Sequence, residues 1–192
     1  MGPFEYLLMF VGVILGLAVS DLAISLHRLL GAGPRVRWDA LAPLAALVAL
    51  LKILTQWWNW FSTAQIARGL TFGMFLGVVA GTLMLFLLAA TALPDEIGEG
   101  PVDLAAHYQA VSRRFWLLFA AEFTLMTGIE IWAQMAVFHA RFDPHTLLSP
   151  VFGIIAASVA LAFLRNRPIH AIALVGLIAL YLAQSFGRSL TG

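Results

Sequence analysis

Residues 113–141 read RRFWLLFAAEFTLMTGIEIWAQMAVFHAR, a stretch that is apolar and long enough to cross a bilayer and has arginines at both ends. Three polar residues, Glu122, Glu130 and Gln134, interrupt its apolar part. On an α-helix, Glu122 and Glu130 lie about 80° apart around the axis and about 12 Å apart along it. An ionised carboxylate at the centre of a membrane helix costs about 2.5–3.5 kcal/mol on insertion scales. The rest of the chain must therefore supply a reason for two of them.

The composition indicates the class of protein. Of the 192 residues, 61% are hydrophobic and 11% are charged, whereas soluble domains have about 25% charged residues. Cysteine is absent, which excludes disulfides, thiolate metal sites and thiol catalysis. The formal net charge of +1 gives no electrostatic basis for binding nucleic acid. We expect an all-α polytopic integral membrane protein in which residues 1–192 form a single transmembrane domain.

Hydropathy predicts six transmembrane helices joined by short connections. Their expected bounds are 4–30, 41–61, 70–93, 113–140, 146–164 and 169–186. The segment after Pro101 has apolar residues at helical spacing, which predicts an interfacial amphipathic helix that runs into helix 4. Asp39 is the expected N-cap of helix 2. Small residues at four-residue spacing predict close helix packing, and they are Gly12, Gly16 and Ser20 in helix 1 and Gly73, Gly77 and Gly81 in helix 3.

Basic residues predict the orientation in the membrane. The N-terminal run lacks a positive n-region, so we expect an uncleaved first helix rather than a signal peptide. Seven arginines lie near the connections after helices 1, 3 and 5, against three on the opposite side. Because arginine and lysine concentrate in cytoplasmic loops, both termini are expected outside, in a bacterial cytoplasmic (inner) membrane. The seven are Arg28, Arg35, Arg37, Arg113, Arg114, Arg165 and Arg167, and the three are Arg68, Arg141 and Arg188.

Four charged residues fall well inside the expected helices, away from their ends, and they are Asp21, Lys52, Glu122 and Glu130. Counting along each helix from the cytoplasmic arginines places Asp21 at the depth of Glu122. The same count places Lys52, the only lysine, at the depth of Glu130 and predicts an ion pair between these two. Three acids and one base leave an uncompensated charge. Protonation, a water-filled cavity or a bound cation would relieve it, and each favours proton or cation handling.

Amides extend this polar set toward the outer face. Gln56 and Asn59 share a face of helix 2 with Lys52, and Gln134 lies one turn beyond Glu130. Two interpretations of these amides are open. They could line the same pathway, or they could be interhelical hydrogen bonds worth under about 1 kcal/mol each.

These observations predict a membrane channel or transporter for protons or small cations. The expected pathway residues are Asp21, Lys52, Gln56, Asn59, Glu122, Glu130 and Gln134. Its expected partners are membrane lipids and further copies of the chain, because six short helices enclose little space and two of them carry small-residue ladders. No cofactor, metal site or catalytic residue is expected, since no nucleotide-binding, hydrolase or zinc motif is present.

Two alternatives remain open at this stage. One is an integral membrane redox protein or an enzyme acting on a lipid or quinone, in which a haem could bridge His27 and His170. The other is an accessory subunit of a membrane complex, in which the buried charges only specify packing. A haem absorption band in the purified protein would support the first alternative. Copurification of a stoichiometric partner would support the second.

Overall fold

The computed structural model describes residues 3–62, 71–98, 100–137 and 149–186, and the expected all-α class is confirmed in these ranges. Five of the helices in these ranges are long and apolar enough to cross a membrane, while α5, with 14 residues, spans only about 21 Å. Arg68, Glu99, Arg141, Arg188 and the expected beginning of helix 5 lie outside the described residues. The helices are α1 (Pro3–Ala32), α2 (Leu41–Ser62), α3 (Phe72–Ala92), α4 (Leu104–Val137), α5 (Pro150–Phe163) and α6 (Arg167–Phe186).

Helix α4 begins at Leu104 rather than at residue 113. Asp103 determines this start, because its Oδ1 accepts hydrogen bonds from the backbone N–H groups of Ala105 (2.9 Å) and Ala106 (3.0 Å). The amphipathic segment expected before helix 4 is thus the first part of one continuous 34-residue helix. At about 51 Å, α4 exceeds the hydrocarbon core of about 30 Å by several turns.

Three connections, α1–α2, α3–α4 and α5–α6, meet at one end of the bundle. Val36–Arg37 (β1) pairs in parallel with Val102–Asp103 (β2), and Arg37 lies opposite Asp103. Arg28 donates a hydrogen bond to the backbone carbonyl of Asp95, which joins the end of α1 to the segment after α3. Arg167 forms an ion pair with Asp39, which also caps α2 as expected. The helices therefore alternate in direction. Five arginines lie at this end, namely Arg28, Arg35, Arg37, Arg165 and Arg167, whereas Arg113 and Arg114 lie within α4, about 15 Å beyond its first residue.

Glycines allow close packing of α3 against α4, as their spacing predicts. A Cβ atom at Gly77 would lie 2.6 Å from the Ile129 side chain, and one at Gly81 would overlap the methyl end of Met126. In α1, a Cβ at Gly12 would lie 3.3 Å from the Trp57 ring, whereas Gly16 has open space. Close packing is confirmed for these three glycines and is absent at Gly16 and at Gly73, where a Cβ would meet only Thr71, the N-cap of its own helix, at 3.9 Å.

Candidate functional site

A buried ion pair joins α2 to α4. Lys52 Nζ lies 2.9 Å from Glu122 Oε2. Lys52 is 6% exposed and Glu122 is 0% exposed, so water has almost no access to either charge. Removing two charges from water costs several kcal/mol per ion, and their attraction offsets this only when the remaining polar atoms are satisfied.

Two neighbours hold the ammonium group in place. Lys52 Nζ donates to Gln56 Oε1 at 3.3 Å, one helical turn further along α2. It also lies 3.9 Å from the centroid of the Phe123 ring, a cation–π contact. The ammonium therefore has three kinds of partner: a carboxylate, an amide oxygen and an aromatic face.

The carboxylate has fewer partners than the ammonium. Glu122 Oε1 has no hydrogen-bond donor among the described residues. Tyr181 of α6 is also buried, close to the Glu122 carboxylate. Three helices, α2, α4 and α6, thus contribute side chains to this site, which we call the ion-pair site (Lys52, Gln56, Glu122, Phe123 and Tyr181).

The expected pair between Lys52 and Glu130 is wrong, because Lys52 pairs with Glu122. The expected depths of Lys52 and Glu130 were counted along their helices from Arg37 and Arg114, on the assumption that these two arginines lie at the same depth. In the β1–β2 pair, Arg37 lies opposite Asp103 and not at the level of Arg114. Every residue of α4 therefore lies about 16 Å further from the level of Arg37 than that count assumed. Glu122, rather than Glu130, is consequently carried to the level of Lys52.

The other candidate residues lie outside the ion-pair site. Asp21 is half-buried, and the charged groups that it interacts with are Asp95 and Arg28, so it does not share a site with Glu122. Glu130 and Gln134 are exposed on α4, consistent with the 80° between Glu122 and Glu130 (about 100° per residue). Asn59 is half-buried. Of the seven candidates, the structure brings together Lys52, Gln56 and Glu122.

A second buried polar cluster was not predicted. His170 Nδ1 lies 2.8 Å from the Tyr108 hydroxyl and 3.0 Å from Trp116 Nε1, and its Nε2 lies 3.0 Å from the Leu164 carbonyl. A carbonyl only accepts, so Nε2 carries a proton, and Trp116 Nε1 also donates to the Tyr108 hydroxyl at 3.2 Å. We call Tyr108, Trp116 and His170 the histidine cluster. It ties the start of α6 to α4.

The histidine cluster bears on the haem alternative. Both ring nitrogens of His170 are used in hydrogen bonds, so neither has a lone pair free to bind iron. His27 is exposed at the other expected axial position. Among the described residues, no group of three His, Cys, Asp or Glu side chains lies close enough to hold a metal ion.

Two surface clefts could give access to the ion-pair site only if its residues lined them. One, of about 580 Å³, lies at the arginine-rich end between Arg28, Arg35, Asp95 and Glu96. The other, of about 290 Å³, is an apolar groove between α1 and α2 lined by Gly16, Ile53 and Trp57. Neither cleft is lined by Lys52 or Glu122, so neither leads to the ion pair.

The fold and the site together define an all-α protein whose described residues include five helices long and apolar enough to span a membrane, with an ion pair inside the helix bundle. A comparison with protein-family models, curated proteins and solved structures finds no match to this chain.

Proposed function

We propose that the protein moves protons or small cations across a membrane and that the Lys52–Glu122 pair is the site of charge exchange. The observation that carries the proposal is the ion pair itself, which lies between three helices and has a Glu122 oxygen without a donor among the described residues. Intramembrane ionisable residues mark ion and proton pathways more often than they mark structural sites.

The geometry supports a change of partner by Lys52. A positive charge that reaches Glu122 competes with the ammonium for the carboxylate. Lys52 can give up that contact and still keep Gln56 and the Phe123 ring, which are already within reach. The pair therefore has a closed state, with the charges together, and an accessible alternative in which Glu122 holds the incoming charge.

The proposed route extends from the ion-pair site in both directions. Asp21 lies toward the arginine-rich end of the bundle, and Asn59, Glu130 and Gln134 lie toward the opposite end. We place the arginine-rich end in the cytoplasm of a bacterium and both termini outside, with α5 as a sixth span. Because Glu130 and Gln134 are exposed on one protomer, their part of the route would lie at a contact between protomers in a homo-oligomer.

Flux measurements on purified protein in liposomes test the proposal. Wild-type protein should dissipate an imposed pH or cation gradient faster than empty liposomes, because Glu122 accepts the charge. Glu122→Gln and Lys52→Met should each reduce the rate at least tenfold. Glu96→Gln, which changes an exposed carboxylate outside the route, is the matched control and should retain the wild-type rate. Wild-type flux equal to that of empty liposomes, for protons and for Na⁺ and K⁺, would refute the proposal.

The closed state of the pair also favours a second candidate function. Both charges are buried and paired, as expected if they only specify how α2 packs on α4 in an accessory subunit of a larger complex. In that case the chain alone gives no flux, and mild detergent extraction yields a stoichiometric partner that Lys52→Met releases.

A further inference from the structure

We infer that the charge exchanged at Glu122 is a proton and not a metal cation. The inference rests on the proposed function and makes it narrower, because transport of protons and of small cations would otherwise use the same residues. It follows from the oxygen atoms that the ion-pair site offers and from the continuity of the helices around it.

The ion-pair site has too few oxygen ligands for a dehydrated metal ion. The side chains in contact at the pair supply three oxygens, the two of Glu122 and Gln56 Oε1. Two of these three already face the Lys52 ammonium. Hard cations such as Ca²⁺ and Mg²⁺ take about six to eight oxygen ligands. Glu122 is 0% exposed, so a hydrated ion has no surface on which to approach it in this conformation.

The backbone does not supply the missing ligands. Membrane proteins that bind Na⁺ or K⁺ expose carbonyl oxygens by unwinding a helix or by forming a filter loop. Here α2 is continuous through Lys52 and α4 is continuous through Glu122. Their carbonyl oxygens in this region accept helical hydrogen bonds. A proton, in contrast, needs a single oxygen lone pair.

Glu122 Oε1 provides that lone pair. The step is the formation of one O–H bond between the incoming proton and Oε1, which converts the carboxylate to a carboxylic acid. Lys52 remains an ammonium ion throughout and is held by Gln56 Oε1 and the Phe123 ring. The charge of the site rises by one unit, and release of the proton toward the other side restores the ion pair.

Infrared difference spectroscopy of the protein in lipid tests this step directly. As the pH is lowered, a carbonyl stretch of a protonated carboxylic acid should appear and shift in D₂O. The band should be lost in Glu122→Gln and retained in Glu96→Gln, which removes an exposed carboxylate outside the proposed route. In Lys52→Met, the band should persist at pH values at which the wild-type carboxylate is ionised, so this variant is a second readout if Glu122→Gln does not fold.

Replacing the cation in the buffer tests whether Glu122 binds a proton separately from whether the protein transports charge. The titration midpoint of the band should be the same in Na⁺, K⁺, Mg²⁺ and N-methylglucamine chloride at equal ionic strength. A midpoint that rises tenfold in proton activity, one pH unit lower, with each tenfold rise in one metal ion would show that this ion competes at Glu122, which overturns the inference while leaving transport intact. A titrating band without any flux would support the proton site and refute transport. Absence of a band assigned to Glu122 at any pH would overturn the inference.

Discussion

The Lys52 ammonium lies 2.9 Å from the Glu122 carboxylate, and Glu122 has no exposed surface. The pair is therefore shielded from both water and lipid, and each charge depends on the other. Removing one partner leaves the other charge buried and uncompensated. This mutual dependence gives the ion-pair site a distinct thermodynamic signature.

The first prediction concerns a double-mutant cycle at the pair. Glu122→Leu and Lys52→Met should each lower the free energy of unfolding by about 3–5 kcal/mol, because each leaves a single buried charge. The double variant should recover most of this loss, since no buried charge remains. Thermal or denaturant unfolding in detergent measures all four proteins. Additive losses in the double variant would contradict the pairing, and Glu96→Leu, at an exposed position in the α3–α4 connection, should change stability by less than about 0.5 kcal/mol.

The second prediction concerns the close approach of α3 and α4. Gly81→Leu should destabilise the protein by about 1–3 kcal/mol, because the added atoms would overlap Met126. Gly81→Ala should have a smaller effect, since the flexible end of the methionine can move aside. Gly16→Ala is the matched control because a Cβ there meets no atom within 4 Å. Equal effects at Gly81 and Gly16 would argue against this packing of α3 on α4.

The third prediction concerns the histidine cluster. His170→Leu removes the acceptor of the buried Tyr108 hydroxyl, whereas the Trp116 indole keeps the Tyr108 oxygen, 3.2 Å away, as an acceptor. Each unsatisfied buried donor costs about 1–3 kcal/mol, so the variant should be destabilised by at least that amount. Unfolding followed by tryptophan fluorescence measures it. His27→Leu, at an exposed position, should stay within about 0.5 kcal/mol of wild type, and a similar loss in both variants would contradict the cluster's role.

The fourth prediction separates two roles of Asp39, which caps α2 and pairs with Arg167. Asp39→Asn keeps a good N-cap and should change stability by less than about 1 kcal/mol, since the ion pair is partly exposed. Asp39→Ala removes the cap as well and should lose about 1 kcal/mol more. Asp103→Ala, at the start of α4, is a second test of a cap without an ion pair. Equal free energies of unfolding for Asp39→Asn and Asp39→Ala would show that the cap does not contribute to stability.

Sequence patterns predicted the helices well because hydropathy and capping act locally. Asp39 was recognised as an N-cap from its position before an apolar run, and Asp103 has the same signature before Leu104. The glycine spacing likewise predicted the surface of α3 that packs on α4. These signals depend on neighbours within one or two turns, so a single sequence contains them.

The partner of Lys52 could not be predicted with the same certainty. It depends on how far α4 extends before it reaches the level of α2, and this is fixed by the pairing of Arg37 with Asp103, two residues in different connections. The histidine cluster has the same origin, because it joins Tyr108 and Trp116 on α4 to His170 on α6. The sequence contained one indication of the histidine cluster. Tyr108 and Trp116 are eight residues apart on one helix, about 80° around its axis, so both can face the same neighbouring helix.

The order of the two charges along the chain has a consequence for biosynthesis. Lys52 emerges from the ribosome before Glu122, and at about 5–20 residues per second the carboxylate follows about 4–14 s later. During that interval α2 must enter the bilayer with a lone ammonium, at a cost of about 2.5–3.5 kcal/mol that its other apolar residues have to offset. The Lys52 ammonium therefore stays unpaired in the bilayer until α4, which carries Glu122, has been synthesised and inserted.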